Sequence, residues 1–182
     1  MAEVSFENRT VIVTGAGNGL GKAYALDLGS RGAKVVVNDL GGAVDGSGSG
    51  NTPADEVVNE IVANGGEAVA NYDSVATKDG GESIVQAAID NFGTVDAVIN
   101  NAGILRDKSF ANMSEEELSL IIDVHLKGTF FVTQSAFKVM KENSYGRIVN
   151  VASPSGLFGN FGQSNYGAAK MGIVGLTNVL AI

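Results

Sequence analysis

Short runs of β-branched residues alternate with helical stretches from one end of the chain to the other, and few folds accept that order. Thr10–Thr14, Lys34–Asp39, Glu67–Asn71, Asp96–Asn100 and Arg147–Val151 read as strands. Gly19–Ser30, Thr52–Asn64, Gly80–Asn91 and Gln163–Ile182 read as helices, with Thr52 as N-cap before Pro53. A capping box, Ser114-Glu-Glu-Glu117, opens a long helical region that runs to about Asn143. The strands are apolar on both sides, which predicts a parallel sheet covered by helices on both faces, the doubly wound α/β class. That class has six strands in the order 3-2-1-4-5-6. Five are counted here, and Ile182 falls inside a helical pattern, so the reading expects residues 1–182 to be one domain that continues further in the natural protein.

The first turn carries the next constraint. Between strand one and helix one lies Thr14-Gly15-Ala-Gly17-Asn18-Gly19-Leu20-Gly21. Glycines at such a turn let a pyrophosphate approach the helix N-terminus, where free N–H groups favour an anion. The strand before and the helix after are the context that separates this pattern from an ordinary glycine turn. Asp39, 18 residues after Gly21 at the end of strand two, is placed to accept hydrogen bonds from ribose hydroxyls. A carboxylate there repels a 2′-phosphate, and no Arg directly follows it, so the expected cofactor is NAD rather than NADP. Asp73, Ser74 and Val75, after strand three, fall where the adenine edge belongs. Asn100-Asn101-Ala102-Gly103 ends strand four; its Asn side chains can tie strand ends together, while Ala and Gly leave room for the cofactor.

Composition removes several function classes. The formal charge is −8, from 12 Lys plus Arg against 20 Asp plus Glu, which is the wrong sign for binding nucleic acid. The longest apolar runs fall short of the roughly 20 residues that span a bilayer, so no membrane attachment is expected. With no Cys and one His, His125, neither disulfides nor a thiolate or His-rich metal site can be built, and no metal is expected.

Near the other end, Tyr166 and Lys170 stand four residues apart in Ser-Asn-Tyr-Gly-Ala-Ala-Lys, one helical turn on one face. An ammonium beside a phenol favours the phenolate, which can take a proton from an alcohol. Ser153 lies thirteen residues before the tyrosine; Ser155, eleven before it, is the rival hydroxyl. The motifs Thr14-Gly-x-x-x-Gly19-x-Gly21, Asp73, Asn100-Asn-Ala-Gly103, Ser153 and Tyr166-x-x-x-Lys170 run in order over the whole chain. Together they resemble the short-chain dehydrogenase/reductase family.

The resemblance implies roles. Tyr166 is the general acid/base and borders the cofactor, Lys170 holds the nicotinamide ribose and supports the tyrosine, and Ser153 hydrogen-bonds the substrate oxygen. Asn101 borders the nicotinamide ribose. Where the family often places an Asn in its fourth helix to hold a water on a proton path, this chain has His125, a candidate for the same relay. The strings Val-Val-Val-Asn-Asp-Leu-Gly-Gly (35–42), Asn-Tyr-Asp-Ser-Val (71–75), Val-His-Leu (124–126) and Gly-Asn-Phe-Gly-Gln (159–163) are similar to one subgroup. These are the (3R)-hydroxyacyl-CoA dehydrogenases that form a unit of peroxisomal multifunctional β-oxidation enzymes, and their stand-alone bacterial relatives. That likeness implies an acyl-CoA thioester substrate. It also implies a homodimer or homotetramer, in the cytoplasm of a bacterium or the peroxisome of a eukaryote. A 3-oxoacyl reductase, a steroid or other alcohol dehydrogenase, and a nucleotide-binding sensor or scaffold with a silent site remain the alternatives.

Overall fold

The computed structural model describes residues 4–182. Five strands, β1 (Thr10–Thr14), β2 (Lys34–Asn38), β3 (Glu67–Asn71), β4 (Ala97–Asn100) and β5 (Arg147–Asn150), form one sheet in the order β3-β2-β1-β4-β5. Every pairing is parallel, with Ile12 opposite both Val36 and Val98. The order matches the first five positions of the six-stranded doubly wound sheet. Its direction reverses between β1 and β4, which opens a crevice at their carboxyl ends.

The unbroken apolar runs follow from burial on both faces. Val11, Val13, Val35 and Val37 turn towards α1 (Gly19–Ser30) and α2 (Thr52–Ala63), where Ala25, Leu28, Val57 and Ile61 meet them. Ile12, Val36 and Val98 turn the opposite way, onto α3 (Lys78–Phe92) and α5 (Gly128–Glu142), against Ile84, Val85, Val132 and Ala136. Each such side chain withdrawn from water contributes about 1.5–3 kcal/mol. β5 is an edge strand, and Val149 is about half exposed there.

The long helical region is not uniform. α4 (Glu115–Ile121) starts at the expected capping box, with both reciprocal hydrogen bonds of Ser114 and Glu117 formed. A π turn at Ile122–Lys127 then widens the helix before α5 begins. α2 starts one residue earlier than expected: Asn51 takes the cap position, without a side-chain hydrogen bond, and Thr52 is helical. α3 also starts earlier, because Thr77 caps it by accepting from Gly80 N. A short helix, α6 (Pro154–Phe158), follows β5, and α7 (Ser164–Leu180) closes the chain. Among the described residues, no helix is long and apolar enough to cross a membrane.

Candidate active site

The glycine loop is held in shape by its own backbone and by Asp39. Gly15 has φ +63°, and a β-carbon there would lie 2.7 Å from Ala102 Cα. At Gly21 a β-carbon would overlap the Gly15 carbonyl at 2.1 Å, so the first turn of α1 can close on the loop only with glycine. Asp39 accepts from Gly17 N at 2.8 Å through one carboxylate oxygen and from Gly41 N at 2.7 Å through the other. The carboxylate expected to meet a ribose thus also fixes the loop that would face the pyrophosphate.

A second device runs along the strand ends. β2, β3, β4 and β5 each finish in asparagine, and these side chains are linked in two pairs, Asn38 with Asn71 and Asn100 with Asn150. Asn38 Nδ2 donates to Asn71 Oδ1 at 2.9 Å and to the Asp73 carbonyl at 2.9 Å. The Asp73 carboxylate accepts from Asn71 Nδ2 and from the Ser83 hydroxyl. Asn100 Nδ2 donates to Asn150 Oδ1 and Thr133 Oγ1, both at 2.8 Å. Asn101 Nδ2 bridges the carbonyls of Thr14 and Gly15, and Thr14 Oγ1 accepts from the backbone of Asn101 and Ala102. The ties at 100–101 are expected from the sequence; the other asparagine contacts are not, because a strand-final Asn reads only as a turn signal.

These elements border a cleft of about 400 Å³ at the carboxyl ends of the strands. Of the expected cofactor residues, Gly15, Asn18, Gly19, Asp39, Asp73, Ser74, Val75, Asn101, Ala102 and Gly103 line it. Gly17, Leu20, Gly21, Tyr166 and Lys170 do not; Leu20 points outward, 63% exposed. The volume lies in the range of small-molecule sites, about 300–1,000 Å³. Its wall combines a close backbone loop with a carboxylate, a donor and acceptor set that fits a dinucleotide. The described residues hold no cluster of three or more His, Cys, Asp or Glu that could bind a metal.

Tyr166 and Lys170 lie beyond the cleft, on the first two turns of α7. Lys170 is buried, and its Nζ donates to the Val151 carbonyl at 2.6 Å. The same nitrogen is 5.6 Å from the centre of the Tyr166 ring. Burial lowers the Lys170 pKa from 10.5 to about 8. Ser153 is the N-cap of α6; its Oγ accepts from Ser155 N at 3.2 Å and retains a proton to donate. α6 lies against α7, where Gly156 and Gly167 leave the two backbones in close approach, so Ser153 stands beside the first turns of α7. Ser155 supplies the capped N–H and its carbonyl faces Gly167. Asn165, unnoticed in the sequence, is buried and pins this helix start. Its Nδ2 donates to the carbonyls of Arg106 and Glu117, and its Oδ1 accepts from Tyr166 N.

His125 joins the two halves. The π turn carries its ring inward, edge-on to Tyr166 with 5.1 Å between centroids. Gly103 is required beside it: a β-carbon there would come within 2.5 Å of His125 Cε1. His125 Nε2 sits 2.8 Å from the Ile104 carbonyl and 3.1 Å from Ile104 N. Whichever of these it pairs with, Nδ1 is buried and without a partner among the described residues. Burial, then the Lys170 charge, lower the His125 pKa from 6.5 to about 4, so the ring is neutral at pH 7.

That depression has a stability consequence. Between about 6.5 and 4 the unfolded chain binds a proton at His125 that the folded chain refuses. Stability is therefore complete above 6.5 and lost as pH falls towards 4. We expect His125→Asn to remove about 3 kcal/mol of the loss seen at pH 4, measured by denaturant unfolding at pH 7 and pH 4. Equal losses in both proteins would show that His125 is not held neutral.

A family model described as short chain dehydrogenase matches residues 9–182. The peroxisomal hydratase-dehydrogenase-epimerase of Saccharomyces cerevisiae is 59% identical over 178 residues, which are 98% of this chain and 20% of that protein. The peroxisomal multifunctional enzyme type 2 of Mus musculus is 57% identical over 177 residues, covering 97% of this chain and 24% of that one. A 3-oxoacyl-[acyl-carrier-protein] reductase of Synechocystis is 42% identical over 173 residues, 95% of this chain and 67% of its own. The crystal structure of a short chain dehydrogenase from Mycobacterium avium superposes with a TM-score of 0.87 at 48% identity, over 95% of this chain and 62% of that one. The chain thus spans about a fifth to a quarter of the two peroxisomal relatives.

Proposed function

The chain belongs to the short-chain dehydrogenase family, and on that premise we propose that it oxidises a secondary alcohol to a ketone with NAD. We further assign the alcohol as a (3R)-3-hydroxyacyl-CoA. The observation that carries the reaction is the buried Lys170 ammonium behind Tyr166, near the cleft that the glycine loop and Asp39 line. NAD would be held by the glycine loop, Asp39, Asp73–Val75 and Asn101–Gly103. When bound, its nicotinamide supplies the acceptor for the hydride that leaves the carbinol carbon. Tyr166, as phenolate, takes the hydroxyl proton. Ser153 donates to the substrate oxygen and fixes the alcohol against the tyrosine. Lys170 supplies the positive charge that offsets the phenolate. His125 Nδ1, buried and unpaired, is the group available to hold a water on the path by which the proton leaves. The products are the ketone, the reduced cofactor and one proton.

NAD is favoured over NADP by Asp39, whose carboxylate lines the cleft and would repel a 2′-phosphate, with Leu40 rather than Arg after it. The thioester assignment rests on likeness to the two peroxisomal proteins. The 42% identical carrier-protein reductase supports the second reading, reduction of a 3-oxoacyl group. Exposed Phe130 and Phe137 on α5 and Met171 and Val179 on α7 support a homodimer or homotetramer through those helices, and a monomeric mass in light scattering removes that part. The compartment follows the host, peroxisome or bacterial cytoplasm.

The deciding assay offers (3R)- and (3S)-hydroxyacyl-CoA and steroid alcohols with NAD and with NADP. We expect kcat/KM for the (3R)-thioester with NAD to exceed every other combination by at least about tenfold, the equivalent of 1.4 kcal/mol in transition-state binding. A preference for NADPH and the 3-oxo compound would replace this reading with the reductase.

A further inference from the structure

Residues 40–50 form a closed strap beside the cleft. Its base is shut by Gly50 N donating to the Leu40 carbonyl at 3.0 Å, and its root is pinned by Asp39 through Gly41 N. The tip is stiffened from within: Ala43 N donates to the Ser47 carbonyl, Gly46 N to the Ala43 carbonyl, and Asp45 Oδ1 accepts from Ser47 N and Oγ. Compact loops of this length with joined ends are often functional.

The tip does not hang in solvent. The Val44 carbonyl accepts from Leu105 N at 2.9 Å, and the Asp45 carbonyl accepts from Arg106 Nε at 2.5 Å. Gly46 rests against the Ile104 and Leu120 side chains. Ala43, Val44 and Gly46 of the strap line the cleft together with Ile104 and Leu120. The two latch bonds therefore tie the strap to the segment that follows Ile104. Val44 itself is 71% exposed, so its burial adds little to these bonds.

The seat of the latch is a segment tied to the chemistry. Ile104 carries His125 Nε2, the Arg106 carbonyl accepts from Asn165 at the start of α7, and Lys108 N donates to the Gly162 carbonyl.

We propose that residues 40–50 are a strap that must unlatch from Leu105 and Arg106 to admit or release the dinucleotide, and that latch again over it. This rests on the cofactor reading above. Exchange of cofactor is then limited by strap opening, and reclosure sets the Ile104–Lys108 segment against His125 and Tyr166 before substrate arrives.

The test uses NADH fluorescence in stopped flow. Arg106→Ala removes one latch bond while keeping the carbonyl that Asn165 needs, and should speed both NADH entry and release about threefold or more. The chain has no cysteine, so a Val44→Cys/Leu105→Cys pair offers a clean lock. Oxidised, it should slow entry and release at least about tenfold, with reductant restoring both. In the unmodified protein, hydrogen exchange at the Leu105 amide should slow when NADH is bound. Normal rates in Arg106→Ala together with unchanged Leu105 exchange overturn the strap while leaving the cofactor site standing. Absence of any NADH binding overturns the cofactor reading, and the strap with it.

Discussion

Tyr166→Phe lowers kcat by about 10²–10⁴, the range a positioned proton-transfer group contributes, and leaves the cofactor dissociation constant within about twofold. The phenylalanine keeps the ring and therefore the edge-on contact with His125, whose centroid is 5.1 Å away. Asn165 holds the residue through its backbone N–H, which the substitution retains. Tyr166 does not line the cleft proposed to hold the dinucleotide, so cofactor binding has little to lose. What disappears is the oxygen proposed to take the substrate proton. A purely structural tyrosine would give the opposite pattern, a lower unfolding midpoint with turnover per folded molecule preserved. The experiment is steady-state kinetics beside NADH titration on the same preparations. Activity within tenfold of the parent removes Tyr166 from the proposed role.

The parts that can be read ahead of the coordinates are those set by local pattern. β1 and β2 are continuous apolar runs because both faces of the sheet are covered, and the capping box at Ser114–Glu117 forms as spelled. The glycine loop is bounded by the strand and helix it needs. Other features leave no such trace. α6 is five residues long and contains Pro and Gly, too short to show a period. The π turn adds a fraction of a residue per turn over six positions, which does not disturb helical spacing enough to be seen, although it is what turns His125 inward. The strap is latched by one backbone bond between residues 61 apart, Val44 and Leu105, and by the Arg106 side chain on the Asp45 carbonyl, and neither pairing of distant segments shows in a local pattern. The asparagine row is local at each residue but has meaning only across four strands.

Lys170 offers the sharper contrast between folding and function. Its pKa falls from 10.5 to about 8 because the ammonium is buried. Between those values the unfolded chain carries a proton that the folded chain has given up, so stability rises with pH through the window and is lower by about 3 kcal/mol at neutral pH than it would be without the charge. Lys170→Met has similar volume and no charge. It relieves that cost, and it strands the Val151 carbonyl that Nζ now satisfies, a penalty of about 1–3 kcal/mol. The two nearly cancel, and the expected unfolding free energy at pH 7 is close to the parent's. The pH dependence separates them: the parent should gain about 3 kcal/mol more than the variant between pH 8 and 10.5. Turnover should meanwhile fall at least about a hundredfold, since the charge opposite the phenolate is gone. A variant that is as stable as the parent at neutral pH, flat in that alkaline window and nearly inactive identifies Lys170 as a residue kept for chemistry. A parent whose stability is equally flat would mean that the ammonium is better solvated than its burial implies, and a variant that still turns over would leave the lysine a packing residue.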